Sequence, residues 1–425
     1  MTINSRGTDR LVLDIFIKKE QEGTYFNLPF EVPKNVDRMD IQYSYSRSHI
    51  VDLALSSANN EFIGASGSDR EHIWICESLS SDGYKAVQVL PGTWNIIAGA
   101  YKITSDEVPV RYEITYTYKK RTLLKGDCHV HTTASDGVLT VEELIPTAKS
   151  SMLDFICITD HNNYTHNIPL RNTESLTVIP GVEWTLYNGH ANMLGLEKPI
   201  DGQYFVNTSE EAYELLNKAR QNGALISINH PFDDGCPWKW GYDSFEFDCM
   251  EVWNGIFKHS DMKCISFWHD RLCQGKRIPI IGGSDFHRFS NYAAPGFPTT
   301  WVYSMSRGQT DLLNALRQGH CFVTYQPDAP IMDITCNQSH MGDAVAYEPG
   351  LSVIFNYTSV KTGDIIKILS SSGLEKEITS ATSGNLTVEI KAEQKKFYRT
   401  ELYRNLLPGF PPMLCMISNP IYLNL

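Results

Sequence analysis

Regular alternation of apolar and polar residues marks the first 122 positions of the chain. Period-two runs occupy residues 11–18, 39–45 and 111–118, and turn-forming residues separate them. This alternation predicts strands with one buried face, and no long helical period intervenes. We therefore expect residues 1–122 to form an N-terminal β-sandwich of immunoglobulin-like size. Its aromatic residues are interpreted as cross-strand pairs and core packing, with a sugar-binding face as the alternative.

From Lys125 onward, short apolar runs alternate with segments of helical spacing. Thr140 and Glu143 form a capping-box pattern before the first of these segments, and Ser209 is expected to cap the second. The three predicted helices span residues 141–152, 210–222 and about 261–274. Apolar strands separated by helices indicate a parallel sheet covered on both faces, here a closed or distorted β/α barrel. We assign this α/β domain to residues 123–326.

Beyond Gln326 the pattern becomes β-rich again, and residues 327–425 predict a small C-terminal β-sandwich. The chain has 425 residues, enough for two or three domains. No apolar run approaches the ~20 residues of a membrane span, and the first twenty positions lack a signal-peptide layout. A cytoplasmic location without membrane association is the resulting expectation.

Charge and cysteine content narrow the classes of partner. A net charge of −12 argues against a nucleic-acid duplex held on a basic surface, but a small anionic substrate held by metal ions stays compatible. The ten cysteines are scattered, without a C-x-x-C pair. Free thiols in a reducing compartment are therefore favoured over a disulfide framework or a thiolate metal site.

Histidines and carboxylates fall at the ends of successive predicted strands in the middle region. His129 and His131 stand two apart at the end of a strand, so their imidazoles face the same side. Active sites of β/α barrels gather at the C-terminal ends of strands. The metal-competent residues at these positions are His129, His131, Asp136, His161, Glu183, His190, His230, Asp285 and His287.

A ligand set of His, Asp and Glu without Cys is typical of catalytic zinc, manganese or iron. Nine ligands exceed what one ion needs, so we expect two or three divalent ions, with Glu183 as the bridging carboxylate. Single positions have ordinary alternatives: Asp136 precedes Gly137 as in a turn, and His230 precedes Pro231 as in a loop. Their coincidence at strand ends favours the metal site.

Five ordered motifs carry a resemblance to a known family. The motifs are His129-x-His131 with Asp136, Thr159-Asp160-His161, Gly181-x-Glu183, Asn229-His230-Pro231 and Gly283-Ser284-Asp285-x-His287. They resemble the PHP (polymerase and histidinol phosphatase) metallohydrolases over about residues 125–330. The N-terminal module is similar to that of the CehA/McbA branch.

The resemblance implies a distorted (β/α)7 barrel that hydrolyses phosphate esters. It implies one ion held by His129, His131, Glu183 and Asp285, a second by Glu183, His190 and His230, and a third by Asp136, His161 and His287. Glu183 and Asp285 would then serve catalysis. Arg288 and Lys239 are candidate contacts for the substrate's negative charge, with ordinary surface charges as the alternative.

The leading functional hypothesis is a phosphoesterase acting on a small or nucleotide-like phosphoester through metal-bound hydroxide. A carbamate or carboxylic ester hydrolase is the alternative enzyme, because the same ions can act on a carbonyl group. A carbohydrate- or partner-binding protein with a relic barrel is the alternative from another class. Asp160 is a candidate to orient a ligand imidazole, and the segment Trp238-Lys239-Trp240 is a candidate pocket wall.

Overall fold

The computed structural model describes residues 8–167, 173–243, 245–407 and 409–424. The chain divides into two compact units, one consisting mainly of residues up to Arg121 and the other mainly of residues from Thr122. The strand-rich organisation predicted from the sequence is confirmed, and all four α-helices of the described residues lie between positions 141 and 318. The first seven residues of the expected N-terminal module lie outside the described residues. The division into three modules stays a prediction.

Two antiparallel four-stranded sheets form the first unit, in the orders β1-β8-β3-β6 and β2-β7-β4-β5. Both sheets contribute to one apolar core: Ile41 and Ile114 come from the first, Leu53 and Trp94 from the second. The strands are β1 (Thr8–Lys18), β2 (Tyr25–Val32), β3 (Val36–Ser44), β4 (Ile50–Ser56), β5 (Phe62–Ser66), β6 (His72–Cys76), β7 (Gly92–Lys102) and β8 (Glu107–Tyr118). A 3-10 turn, Lys19–Gln21, follows β1.

Alternating strands and helices form the first part of the second unit. The strands are β9 (Thr122–Val130), β10 (Phe155–Ile158), β11 (Thr177–Leu186), β12 (Gly189–Leu194), β13 (Leu225–Asn229), β14 (Cys249–Asn254), β15 (Ile280–Gly283), β16 (Thr299–Ser304) and β17 (Cys321–Thr324). The helices are α1 (Val141–Ser150), α2 (Ser209–Gln221), α3 (His259–Cys273) and α4 (Gln309–Gln318). A 3-10 turn spans Thr165–Asn167.

These strands lie side by side in the order β15-β14-β13-β12-β11-β10-β9-β16-β17. Pairing is parallel except at β12, which is antiparallel to both β11 and β13, and at β16 and β17. The segment after β15 returns to β9: the amide of Asp285 donates to the carbonyl of His129, and the amide of His131 donates to the carbonyl of Phe286. The ends of β9 and β15 are thereby held together.

Of the two predicted helix caps, one is confirmed and the other is wrong. Thr140 and Glu143 form the expected capping box of α1. The expected cap Ser209 is wrong, because α2 already includes Ser209. The side chain of Thr208 accepts a hydrogen bond from the amide of Glu211, and the carboxylate of Glu211 accepts one from the amide of Thr208, so the box lies one residue earlier. Among the described residues, no helix is long and apolar enough to cross a membrane.

The C-terminal strands continue the same sheet beyond β17. They are β18 (Ile331–Cys336), β19 (Ser339–His340), β20 (Ala344–Ala346), β21 (Ser352–Val360), β22 (Ile365–Ser370), β23 (Gly373–Thr379), β24 (Gly384–Lys391), β25 (Phe397–Arg404), β26 (Met413–Ser418) and β27 (Ile421–Asn424). Strand β26 pairs with β17, and β25, β22 and β23 follow it. Strands β19, β18, β21 and β24 form a separate antiparallel sheet.

Candidate metal centre

The carboxylate of Glu183, in β11, lies at the centre of the histidine cluster. The Glu183 side chain is buried, and its Oε1 is 3.2 Å from Nδ1 of His190 and 3.3 Å from Nε2 of both His129 and His230. Oε2 lies 2.8 Å from Nδ1 of His161 and 3.6 Å from Nε2 of His131. Five imidazoles from three strand ends and one hairpin therefore surround a single carboxylate, the arrangement that a bridging ligand requires.

His129, His131 and Asp285 bring three donor atoms close together. The Nε2 atoms of the two histidines are 3.1 Å apart, and Oδ1 of Asp285 is 2.9 Å from Nε2 of His131 and 3.4 Å from Nε2 of His129. Two ligands of one ion at ~2.0–2.2 Å lie about 3 Å apart. Despite the contact with His131, no hydrogen bond of good geometry reaches the buried Oδ1 of Asp285 from the described residues, which is costly unless a cation satisfies it.

Two of the candidate ligands have a strained backbone. His230 has φ 28° and Asp285 has φ 51°, in the left-handed region that few non-glycine residues occupy. Such conformations persist where the surroundings over-determine them, and they cluster at functional sites. His230 follows β13 directly and contacts Glu183, and Asp285 lies two residues after β15 and contacts His131.

The remaining candidates form two further groups. Nε2 of His287 is 3.1 Å from Oδ1 of Asp136, and Nε2 of His161 is 3.6 Å from the same oxygen. His190 and His230 approach each other on the other side of Glu183, and Sγ of Cys236 is 3.5 Å from Nδ1 of His230. The structure thus brings all nine sequence-derived candidates into one cluster. Cys236 joins them although the sequence favoured a site without thiols.

Three further residues support the cluster: Glu251 and Asn254, which the sequence analysis missed, and Asn229, which it named only as part of a motif. Oε1 of Glu251 is 3.0 Å from Nδ1 of His129, and its Oε2 accepts hydrogen bonds from the amide of His230 and from Asn254. Asn229 donates to Oε1 of Glu183. The sequence could have indicated Glu251, because it is an acidic residue inside the apolar strand β14.

Burial and neighbouring charges shift the pKa values of the titratable groups in opposite directions. Burial lowers the pKa of His129, but the carboxylates of Asp285, Glu183 and Glu251 outweigh it and raise the pKa well above its usual value. For His131 burial prevails and the pKa is lowered. Burial raises the pKa of Glu183, yet the neighbouring imidazoles, His129 first, hold it well below its usual range. The cluster therefore favours ionised carboxylates, the form that binds cations.

A buried carboxylate also fixes the strand that carries the first two histidines. Asp127 accepts hydrogen bonds from the amides of His129, Ser284 and Gly296. Burial raises the pKa of Asp127 to about 6, although these hydrogen bonds lower it. Asp127 ties the end of β9 to the loop that carries Asp285 and thereby positions ligands from two segments.

Several candidates lie apart from the cluster. Arg288 and Lys239 are exposed, and within the described ranges the Arg288 side chain forms no hydrogen bond or ion pair. Asp160 accepts from Thr132 and Ser135 rather than from an imidazole. The two tryptophans expected to wall the pocket are buried in an apolar cluster with Trp184, the ring of Trp240 stacking at 5.8 Å.

Comparison with known proteins agrees with this geometry. Residues 127–234, which contain seven of the nine candidates, match the family model of the PHP domain. Over these residues the chain is similar to the PHP domain. Over 141 residues it is 30% identical to the 5'-3' exoribonuclease Rnm of Escherichia coli K12, covering 29% of this chain and 48% of that enzyme. The chain thus spans about half the length of this relative.

Solved structures show weaker similarity to this chain. A two-domain protein from Bacteroides vulgatus, described as containing a predicted PHP-like metal-dependent phosphoesterase, aligns at TM-score 0.40 with 18% identity, covering 71% of this chain and 96% of its own. An amidohydrolase from Chromobacterium violaceum aligns at TM-score 0.29 with 17% identity, covering 40% and 89% respectively. At these TM-scores neither likeness carries an argument about activity.

Proposed function

We propose that this chain is a divalent-metal-dependent hydrolase that cleaves small or nucleotide-like phosphoesters. The observation that carries the proposal is the buried Glu183 carboxylate among five imidazoles, next to the unpartnered Oδ1 of Asp285. Burying so many ionisable groups in one place is unfavourable unless cations or catalysis make use of them. The PHP domain match supports the same chemistry.

The donor atoms suggest how the ions would be shared. His129, His131, Glu183 and Asp285 would hold one ion, and Glu183 would bridge to a second held by His190 and His230. Asp136, His161 and His287 would hold a third. When bound, zinc, manganese or iron ions supply a nucleophile at neutral pH and neutralise charge on the phosphoryl oxygens.

Residues around the cluster direct the lone pairs of its imidazoles. Nδ1 of His287 donates to the backbone carbonyl of Asp285, so its Nε2 lone pair points toward Asp136. Nδ1 of His129 faces Glu251, which leaves Nε2 for the centre of the cluster. A fixed tautomer at each ligand removes the cost of reorganising the ring when an ion or substrate binds.

The finer assignments belong to the same proposal. We place the chain in the CehA/McbA branch with a distorted (β/α)7 barrel, supported by the strand order and by the return of the chain from β15 to β9. Arg288, two residues beyond Phe286 and exposed, would contact the substrate's phosphoryl group from the rim of the site.

Hydrolysis of p-nitrophenyl phosphate by metal-replete protein tests the proposal. We expect activity that a chelator abolishes and that added zinc, manganese or iron restores. His129→Ala should abolish it, whereas His72→Ala, a half-exposed histidine outside the cluster, should not. If the protein cleaves p-nitrophenyl acetate or a carbamate ester but no phosphoester, the proposal is wrong and the protein is an ester hydrolase. Less than one ion per chain would favour a binding protein.

A further inference from the structure

A second cavity in the same unit lies between α3 and the C-terminal strands β22, β25 and β26. Its volume is about 690 Å³, within the range of ~300–1,000 Å³ that small-molecule sites occupy. Apolar side chains form most of its wall, among them Phe257, Met262, Ile265 and Leu414. None of the nine metal-ligand candidates lines it, so the proposed hydrolase chemistry leaves it unexplained.

Polar residues enter this cavity from one face of β25. Successive residues of a strand face opposite sides, and Tyr398 and Leu402 point into the apolar core. Arg399, Glu401 and Tyr403 face the cavity instead. Arg399 is 2% exposed and Glu401 6% exposed, so a charged pair is buried in the wall of a mainly apolar cavity.

Arg404 and Asp364 form a second buried ion pair in the same unit, and we compare the hydrogen bonds of Arg399 with those of Arg404. Arg404 donates to both oxygens of Asp364, from Nε at 2.8 Å and Nη2 at 2.6 Å, and Nη2 also donates to the carbonyl of Ser359. Arg399 gives only Nη1 to Glu401, at 2.7 Å, and its Nη2 has no partner among the described residues. The Arg399 guanidinium is therefore incompletely satisfied next to an open cavity.

The hydrogen-bonding capacity left over in this wall consists mainly of donors. Nε of Arg399 donates to Nδ1 of His269, so the proton of this imidazole is on Nε2. Burial, followed by the Arg399 cation, lowers the pKa of His269 and keeps the ring neutral. The two oxygens of Glu401 already accept from Arg399 and from Tyr403. The Nη2 amino group of Arg399 and the Nε2–H group of His269 have no acceptor among the described residues and can meet one in a ligand.

We propose that this cavity binds an amphipathic monoanion, a ligand with an apolar ring-sized body and one carboxylate. The carboxylate would accept from Arg399 and His269, because charge-assisted hydrogen bonds to a guanidinium are the strongest that these donors can form. The body would lie against Met262, Ile265 and Leu414. The only other acidic group at the cavity, Asp270, is exposed, so water and salt screen its repulsion.

Binding of 2-naphthoate, followed by isothermal titration calorimetry on the metal-replete protein, tests this inference. We expect 2-naphthoate to bind, and the neutral analogue 2-naphthamide to bind about tenfold more weakly because it lacks the charge that Arg399 meets. Arg399→Met removes the donor but leaves Glu401 buried without its cation, so this variant is at risk of misfolding.

Met262→Trp therefore provides the decisive variant. Met262 is 54% exposed on α3 and lines the cavity, so a tryptophan fills it without disturbing the buried pair. Lys263→Trp, on the same helix but outside the lining, is the matched control. We expect Met262→Trp to weaken 2-naphthoate binding about tenfold or more and Lys263→Trp to leave it unchanged.

Three results would overturn the inference. They are no binding of 2-naphthoate to the wild type, equal binding of the acid and the amide, and binding that Met262→Trp leaves intact. Binding that His129→Ala abolishes while Met262→Trp does not would place the anion at the metal centre. Because the readout is calorimetric binding, failure here leaves phosphoester hydrolysis untouched, and the converse holds as well.

Discussion

Oε1 of Glu251 lies 3.0 Å from Nδ1 of His129, and both side chains are fully buried. Glu251 holds no position among the ligands that the sequence suggested, yet it fixes the ring of one of them. Its other oxygen accepts from the amide of His230, so one carboxylate supports residues assigned to two different ions. Under the proposed function, this arrangement makes Glu251 a positioning residue for the metal centre.

Glu251→Gln tests this positioning role. The amide keeps the shape of the side chain but removes the negative charge that favours a strongly basic Nε2 on His129. We expect metal affinity to fall about 10–100-fold, as found for partners of metal-ligating histidines, with the fold retained. Competition with a colorimetric chelator measures the affinity. Glu214→Gln, an exposed residue of α2, is the control, and equal affinities in both variants would contradict the role.

Gly283 has no side chain because His129 occupies the space. A Cβ at Gly283 would overlap the Cβ of His129 and approach Oε1 of Glu251 to 2.8 Å. Gly283→Ala should displace His129 without changing any ligand, and a displacement of about 1 Å costs roughly 100-fold in activity. Hydrolysis of p-nitrophenyl phosphate and the metal content per chain measure the effect.

Ser284→Ala is the matched control for this substitution. It lies next to Gly283 and keeps the backbone amide bond to Asp127, while it removes a long hydrogen bond, 3.4 Å from Oγ of Ser284 to the carbonyl of His129, and the contact of the hydroxyl with Asp127. We expect near wild-type activity from Ser284→Ala. If Gly283→Ala also retained full metal content and activity, the close packing of Gly283 against His129 would not matter for the site.

The candidate site could be predicted from the sequence because its residues follow from local rules. His129 and His131 share a face by strand periodicity, and strand ends of a β/α region meet on one side. The choice of Glu183 as the central carboxylate rested on the number of ligands, and its position among five imidazoles agrees with it. The sequence analysis missed Glu251 because its role depends on a contact between strands far apart in sequence.

The parts of the fold that were missed depend on long-range pairing. Val323 of β17 pairs with Ile417 of β26, and this register follows from no local pattern in either segment. The antiparallel strand β12 was not anticipated as part of the sheet, since a strand–helix alternation predicts only parallel neighbours. Thr208 and Ser209 both suit a helix cap, and only the Glu three residues on distinguishes them.

Asp261 predicts a pH dependence of stability. It is 3% exposed in α3, and burial raises its pKa to about 7, although the amides of Lys258 and Asn254 donate to it. The folded state therefore holds this proton more tightly than the unfolded state does. Its contribution to stability is full below about pH 4 and is lost as the pH rises to about 7, by up to ~4 kcal/mol.

Asp261→Asn removes this titration and keeps one oxygen, so one of the two amides loses its acceptor. We expect the variant to be less stable than the wild type near pH 4 by about 1 kcal/mol, the value of one hydrogen bond. The difference in free energy of unfolding should then shift progressively in favour of the variant up to about pH 8. Urea unfolding at four pH values measures the difference, and Asp270→Asn, on the exposed face of the same helix, should show none. A difference that does not change with pH would sink this prediction.

The buried pair of Arg404 and Asp364 predicts a strong non-additivity. Both side chains are buried, and Arg404 contacts both carboxylate oxygens of Asp364. Arg404→Met leaves Asp364 charged and buried without its cation, which costs about 3–5 kcal/mol in free energy of unfolding. Adding Asp364→Asn removes that charge, keeps an acceptor for the amide of Lys361, and should recover much of the loss. Equal stability of the single and double variants, in urea unfolding, would show that the unpaired charge is not what destabilises the Arg404 variant.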